Sequence, residues 1–375
     1  MSIRSAIFWL HLAVGLTMGV FILIMSVTGV LLTYERQMLR AAQNAAITAP
    51  ADAEPLGYQD LMQAAITAGG EPGHVMTVPN GREGAVSVSA GRRSSFLMNP
   101  YTGEIMEGAG EGTSAFFSRV ERIHRWLAFW GGRNEPGAAA MGAANLLFAL
   151  LVVTGIYLWL PKIWRGAMLR IRLVFGLSHP NAKARHFNWH HVAGIWFAIP
   201  LLAITLSGTM FSYGWVRDLI TTVYSDEASV VVEAEPVALS ATAVSLDDLV
   251  ARAQDEAGQG RRVSITLPAP DDGAVRIAVD RGNGVQRGLI ETFDVARDGQ
   301  ALIPVDTSAG RSPALDARVF LRFLHTGEVF GLIGQTIAGL ASLFAVLLVY
   351  TGFCLGITRL VAMARTRRRK AAPAE

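Results

Sequence analysis

Four histidines stand at recurring distances from hydroxyl-glycine dipeptides. His11 is followed four residues later by Gly15 and seventeen residues later by Thr28-Gly29. His190 is followed at the same offsets by Gly194 and Ser207-Gly208. Apolar residues fill both intervals, so each histidine sits at the end of a lipid-spanning pattern. An ionisable side chain there costs free energy unless it is paired or liganded. Two such histidines on matching helices point to a shared ligand; the competing reading is an imidazole solvated by headgroups at the interface. A second set, His124 and His325, precedes Thr154-Gly155 and Thr351-Gly352 by thirty and twenty-six residues. The extra residues of the first copy fall in the turn Gly131-Gly-Arg-Asn-Glu-Pro-Gly137. Taken singly, His124 or His325 reads as a surface or helix-capping residue.

The elements that must position these side chains follow from composition. Of 375 residues 51% are hydrophobic and the mean hydropathy is +0.35, yet 17% are charged. That mixture predicts membrane helices joined to sizeable aqueous segments. Four stretches, near 12–34, 138–160, 191–213 and 332–357, reach the ~20 apolar residues that a hydrocarbon core of ~30 Å requires. The segment 161–189 carries Lys162, Arg165, Arg170, Arg172, Lys183 and Arg185 and no acidic residue. The tail from Arg359 is equally basic, whereas the segments 35–137 and 214–331 hold 29 of the 30 acidic residues. By the positive-inside rule both termini and the 161–189 segment are expected in the cytoplasm and the two long segments outside.

The first apolar stretch exceeds the 7–15 residues usual for a signal-peptide core, and its repeat partner lies deep in the chain. It is therefore expected to be a retained span. The single cysteine, Cys354, falls in the last span, so the outward segments have no disulfide and a CxxCH haem attachment is excluded.

The chain reads as two parallel copies of one unit: span, outward domain, span. The expected boundaries are a first span within 1–37, an outward domain over 38–117, and an outer amphipathic helix with the second span over 118–165. A basic loop occupies 166–188 and the third span 189–215. The second outward domain follows over 216–312, the outer helix with the fourth span over 313–359, and a basic tail over 360–375. In the first outward domain an amphipathic helix is expected at 58–68, with strands at 75–78, 85–89 and 94–99. In the second, Ser245 resembles an N-cap opening a helix to about Glu256, followed by strands at 263–267, 274–279 and 289–295. Each domain is expected to be a small, separate helix-plus-sheet module. Pro200 is expected to kink the third span.

The strings Asn188-Trp-His-His-Val-Ala-Gly-Ile-Trp196, Leu324-His-Thr-Gly-Glu-Val-Phe-Gly-Leu-Ile-Gly-Gln335, Ile123-His-Arg-Trp126 and Gly155-Ile-Tyr-Leu-Trp-Leu-Pro161 resemble the PepSY-associated transmembrane family. The outward modules, with Asn99-Pro-Tyr-Thr-Gly-Glu104, are similar to its PepSY domains. The resemblance implies a membrane α-helical fold with four spans in parallel repeat and two small α+β PepSY-like outward domains. It also implies two b-type haems held through helix-end histidines, and a relation to inner-membrane reductases of ferric siderophores. His11, His124, His190 and His325 fall on the family's histidine positions, with pairings His11–His190 and His124–His325. Position 191 resembles a family asparagine but is His191 here, which leaves His190 and His191 as alternative ligands, about 100° apart around a helix.

Two neutral imidazoles on haem iron leave no open coordination position, which suits electron transfer rather than oxygen chemistry. Gly15, Gly19, Gly29, Gly194 and Gly208 would admit close helices or a flat macrocycle. His74 and His179 read as loop residues, and His186 shares a face with His190 only if that helix extends back so far.

No P-loop, Rossmann glycine pattern, HExxH or GxSxG is present, and Gly282-Asn-Gly284 reads as a hairpin turn. With no flavin or nicotinamide domain visible, electrons are expected from a separate donor, quinol or a cytosolic flavoprotein. The expected activity is ferric-chelate reduction at the outer face of a bacterial inner membrane. The alternatives are a non-enzymatic PepSY-type regulator of an external partner and a siderophore transporter. The absence of mid-span Asp, Glu or Lys disfavours transport.

Overall fold

The computed structural model describes residues 2–91, 94–161, 166–224, 244–308 and 311–371. Lys162 and Arg165 of the basic segment therefore lie outside the described residues. In chain order the helices of the first half are α1 (Ile3–Leu32), α2 (Glu35–Asn44), α3 (Tyr58–Thr67), α4 (Glu111–Trp126), α5 (Glu135–Trp159) and α6 (Gly166–Leu173). Those of the second half are α7 (Ala182–Trp196), α8 (Ala198–Ser212), α9 (Gly214–Val223), α10 (Leu246–Ala257), α11 (Pro313–Thr326) and α12 (Gly331–Ala371). The strands are β1 (Val75–Pro79), β2 (Val86–Ala90), β3 (Ser94–Met98), β4 (Arg262–Thr266), β5 (Ala274–Asp280), β6 (Ile290–Ala296) and β7 (Leu302–Pro304). These elements sort into two compact units: a helical one of Met1–Thr33, Phe117–Val223 and Ala317–Glu375, and one built from Tyr34–Phe116 and Tyr224–Asp316.

In the helical unit, α1, α5 and α12 are each long and apolar enough to cross a membrane, and α7 with α8 would be a fourth span if the pair is taken as one. Helix α1 packs against α5 and α12, α5 against α8, and α12 against α7. Small residues set these approaches. A Cβ on Gly19 would stand 2.6 Å from the Phe353 ring, and one on Gly356 would stand 2.9 Å from Leu12. These two glycines therefore lock α1 and α12 together. Polar ties add to the packing. Arg4 donates to the carbonyls of Leu158 and Leu160, capping the C-terminal end of α5, and Asn145 donates to the Thr205 carbonyl.

Helices α7 and α8 meet at 64°. The break is at Phe197, three residues before the proline. Pro200 lacks an N–H and its ring collides with the carbonyl four residues back, that of Trp196, so the helix cannot run through. The kink expected from Pro200 is thus a break one turn toward the N-terminus. A second difference concerns 360–375: α12 continues to Ala371, so the basic segment is helical where the sequence reading ended the helix at 359.

In the other unit, α3, α10 and six of the strands lie within a few residues of their expected positions, α2 and β7 are additional, and the elements are not two separate modules. All seven strands form one sheet, ordered β3-β2-β1-β4-β5-β6-β7. Its centre is an antiparallel pairing of β1 from the first segment with β4 from the second, in register from Val75↔Thr266 to Pro79↔Arg262. Alternation places Met76, Val78, Val86, Val88, Val263, Ile265, Ile277 and Val279 on one buried face, where they form a single core with Leu61 and Ala65 of α3 and Leu249, Val250 and Ala253 of α10.

Neither helix is capped from its own segment alone. Asp247, in the first turn of α10, accepts from the backbone N–H groups of Tyr58 and Gln59 at the start of α3 (2.9 and 3.0 Å). Gln59 in return accepts from Leu246 N–H at 3.2 Å. The two N-termini thus satisfy each other's orphan donors. Ser245 caps α10 as its position predicted, accepting from Asp248 N–H. The glycine pair at 282–284 lies, as expected, in the connection of a hairpin, that of β5 with β6, which also contains a short 3-10 turn.

Candidate cofactor site

The helical unit brings the four histidines into two pairs. The rings of His11 on α1 and His190 on α7 have centroids 6.5 Å apart at an interplanar angle of 86°. Those of His124 on α4 and His325 on α11 are 6.4 Å apart at 66°. Each pair takes one ring from each half of the chain. These are the pairings expected above.

Every ring is held at Nδ1. His11 Nδ1 lies 2.8 Å from Thr154 Oγ1 of α5, and His190 Nδ1 lies 2.9 Å from Thr351 Oγ1 of α12. His124 Nδ1 lies 2.8 Å from Thr28 Oγ1 of α1. His325 differs: its Nδ1 is 3.5 Å from Ser207 Oγ and 2.9 Å from the Ile204 carbonyl, both on α8. The glycine after each hydroxyl faces the same ring. An added Cβ would stand 3.5 Å from His11 Cε1 at Gly155, 3.5 Å from His190 at Gly352, 3.7 Å from His124 at Gly29 and 3.1 Å from His325 at Gly208. The sequence offsets marked these dipeptides, but as ends of spans. Their contact with the histidines of other helices is a long-range fact that spacing along one helix does not reveal.

His191 is arranged differently from His190. Its ring lies on Phe187 with centroids 3.9 Å apart and its Nδ1 is 2.9 Å from the Phe187 carbonyl, so its hydrogen bond is local to α7. The geometry that faces His11 across the bundle belongs to His190. Asn188, two residues earlier, fixes the approach of α7. It donates to the carbonyls of Ile171 and Val174 and accepts from Gly176 N–H, closing the end of α6 against α7. Helix α7 does extend back through His186, whose ring meets Tyr350 edge-on at 5.5 Å. His74 and His179 are in loops, as expected.

A cavity of about 1160 Å³ opens beside the first pair. His11, His190 and His191 line it together with Gly15, Gly155, Gly194, Gly352 and aliphatic side chains, and Arg4, Arg172, Lys183 and Arg359 stand among its lining residues. It is an apolar slot with cations among its walls, a combination suited to a flat hydrophobic molecule bearing carboxylates.

The spacing of the rings tests the implied cofactor. Two metal–imidazole bonds of about 2 Å each, plus about 1 Å from each coordinating nitrogen to its ring centre, add to about 6 Å. The observed 6.5 and 6.4 Å are close to that sum. Among the described residues there is no group of three or more His, Cys, Asp or Glu able to hold a bare metal ion. Two imidazoles with no third protein donor are the donor set of an iron whose remaining positions a macrocycle fills. The residues fit haem.

Over residues 8–359 the sequence matches the PepSY-associated TM region. The chain belongs to that family. The match takes in α1 through most of α12, so both imidazole pairs and the shared sheet lie inside it. Among curated proteins none matches the sequence.

Proposed function

We propose that this PepSY-associated membrane protein is a bis-haem electron conduit that reduces a ferric chelate, in the first instance a ferric siderophore, on the periplasmic side of a bacterial inner membrane. The single observation that carries the reading is the pair of imidazole pairs, each at the separation an axially ligated iron requires. His11 with His190, and His124 with His325, would hold two b-type haems through their imidazoles. Haem supplies reversible one-electron chemistry.

The rest follows from these residues. The cations Arg4, Arg172, Lys183 and Arg359 would hold haem carboxylates at the His11–His190 end. The apolar helices α1, α5 and α12, with α7 and α8 as a further span, would carry the path between the pairs across the bilayer. The basic segments flanking α6 and ending α12 support an orientation with both termini in the cytoplasm. His11–His190 is then the entry pair, served by quinol or a cytosolic flavoprotein, and His124–His325 the exit pair. Hard oxygen donors of a siderophore hold Fe(III) more tightly than Fe(II), so one electron per iron weakens the chelate and permits release.

Pyridine haemochrome analysis of the purified protein should give two non-covalent b haems per chain. Dithionite-reduced protein mixed with ferric siderophore should reoxidise, with the Fe(II) captured by ferrozine. A folded, colourless protein would refute the reading and favour a non-enzymatic regulator instead.

A further inference from the structure

We infer that Thr28, Thr154 and Thr351 are positioning residues that fix which nitrogen of His124, His11 and His190 carries the proton, and that a backbone carbonyl, not Ser207, does this for His325. The evidence is the second bond each hydroxyl makes. Thr154 donates to the Leu150 carbonyl at 2.7 Å, Thr28 to Ile24 at 2.6 Å and Thr351 to Leu347 at 2.8 Å. A hydroxyl has one proton, and in each case the preceding helical turn takes it. Toward the imidazole the oxygen therefore offers only a lone pair, and Nδ1 must be the N–H that donates. Nε2 is left with its lone pair, and among the described residues it has no hydrogen-bond partner. Each ring is thus a preset ligand, in the form that metal-binding histidines adopt when a neighbour accepts from the distal N–H.

The fourth position differs in which acceptor is used: the Met25 and Leu348 carbonyls also bear on His124 and His190, but there the threonine oxygen makes the hydrogen bond. Ser207 also gives its proton to its own helix, at 2.6 Å from the Ala203 carbonyl, but it stands 3.5 Å from His325 Nδ1 while the Ile204 carbonyl stands at 2.9 Å. The carbonyl is the acceptor here, and it survives any change of the side chain. The following glycines complete the device by leaving room for the ring, most tightly at Gly208.

What the Nε2 atoms bind rests on the haem reading; which nitrogen is protonated does not. Thr→Val at 28, 154 and 351 removes the acceptor at nearly constant volume. Each change should raise the midpoint potential of one haem, because the ring becomes a weaker donor to Fe(III), alter the EPR line of that haem, and weaken its retention about 10–100-fold. Thr→Ser at the same position should restore the wild-type potential and line. Thr→Ala serves where Val prevents folding. Ser207→Ala should change neither potential. Valine variants with wild-type potentials and lines at all three positions would overturn the inference, as would a Ser207→Ala shift as large as theirs.

If the purified chain carries no haem, the conduit reading fails separately. Nitrogen-15 shifts of histidine-labelled full-length protein then decide: Nδ1–H tautomers for His11, His124 and His190, lost in the matching valine variants, support the assignment. Nε2–H tautomers in the wild type refute it.

Discussion

Both units of this protein are made by interleaving the two halves of the chain, but they do so in different currencies. In the helical unit the halves meet through identical chemistry: histidine from one half faces histidine from the other, twice. In the sheet unit they meet chiefly through pattern, with the Asp247 and Gln59 caps and a Thr77–Ser264 hydroxyl contact at 2.9 Å added to it. Strands β1 and β4 share alternation and register across their pairing, and on the buried face any apolar side chains of suitable size would serve. A ligand pair demands two specific donor atoms at a set distance, whereas a β-ladder demands only backbone N–H and C=O groups and an apolar face. A duplicated chain can therefore lose sequence likeness in its sheet and must keep it at its histidines.

Deleting a donor atom should be the harshest test of that contrast. His190→Ala is expected to remove one haem completely and leave the other reducible by dithionite but not by the physiological donor. His325→Ala should remove the other haem and abolish reduction of external chelate. Haem-to-protein ratios and ferrozine turnover measure both, and chelate turnover at the wild-type rate in His325→Ala would reassign that residue to a structural role.

In the sheet the corresponding break is a packing defect. Ile265, fully buried on β4, should cost about 2–5 kcal/mol when changed to alanine. Because the core is common to both segments, amide exchange should accelerate in β1 and β2 as well as in β4 and β5. Exchange confined to the second segment would mean that the halves unfold independently.

A smaller effect is expected at the reciprocal caps. Asp247→Ala removes the acceptor for two N–H groups of α3, a helix from the other half, and should cost about 1 kcal/mol. The carboxylate is more than a third exposed, so its ion pair with Arg82 at 3.4 Å adds little. A denaturant midpoint that does not move would show that water replaces the cap fully. The smallest effect should come from His191→Ala, which is expected to keep two haems per chain; loss of one would return ligation to position 191.

Much of this was legible in the sequence because it is local. The apolar lengths gave α1, α5 and α12, alternation gave six of the strands, and the repeated offset of His11 and His190 singled out both before any contact was known. What stayed hidden is long-range. The β1–β4 ladder joins residues nearly two hundred positions apart, and nothing in Val75–Pro79 names Arg262–Thr266 as its neighbour. The short strand β7 has too few residues to show a period. The choice between His190 and His191 depends on where α12 places Thr351, and the different acceptor at His325 depends on a carbonyl, which no side-chain motif records.

Helix α1 carries one imidazole of the first pair, His11, and the hydroxyl that holds His124 of the second, Thr28, on a single uninterrupted rod. Their separation is a fixed count of seventeen residues, about 25 Å along the axis, and their relative bearing is set at 100° per residue. One residue inserted between them would swing the far site by about 100° and lengthen the rod by about 1.5 Å. Only changes near a whole number of turns would leave both ends aimed. The first span is therefore held to a phase as well as a length, a tighter constraint than crossing a bilayer imposes. The second half meets the same requirement through a broken rod, so there the break at Phe197 must itself be reproduced for the Ile204 carbonyl and His190 to keep their bearings.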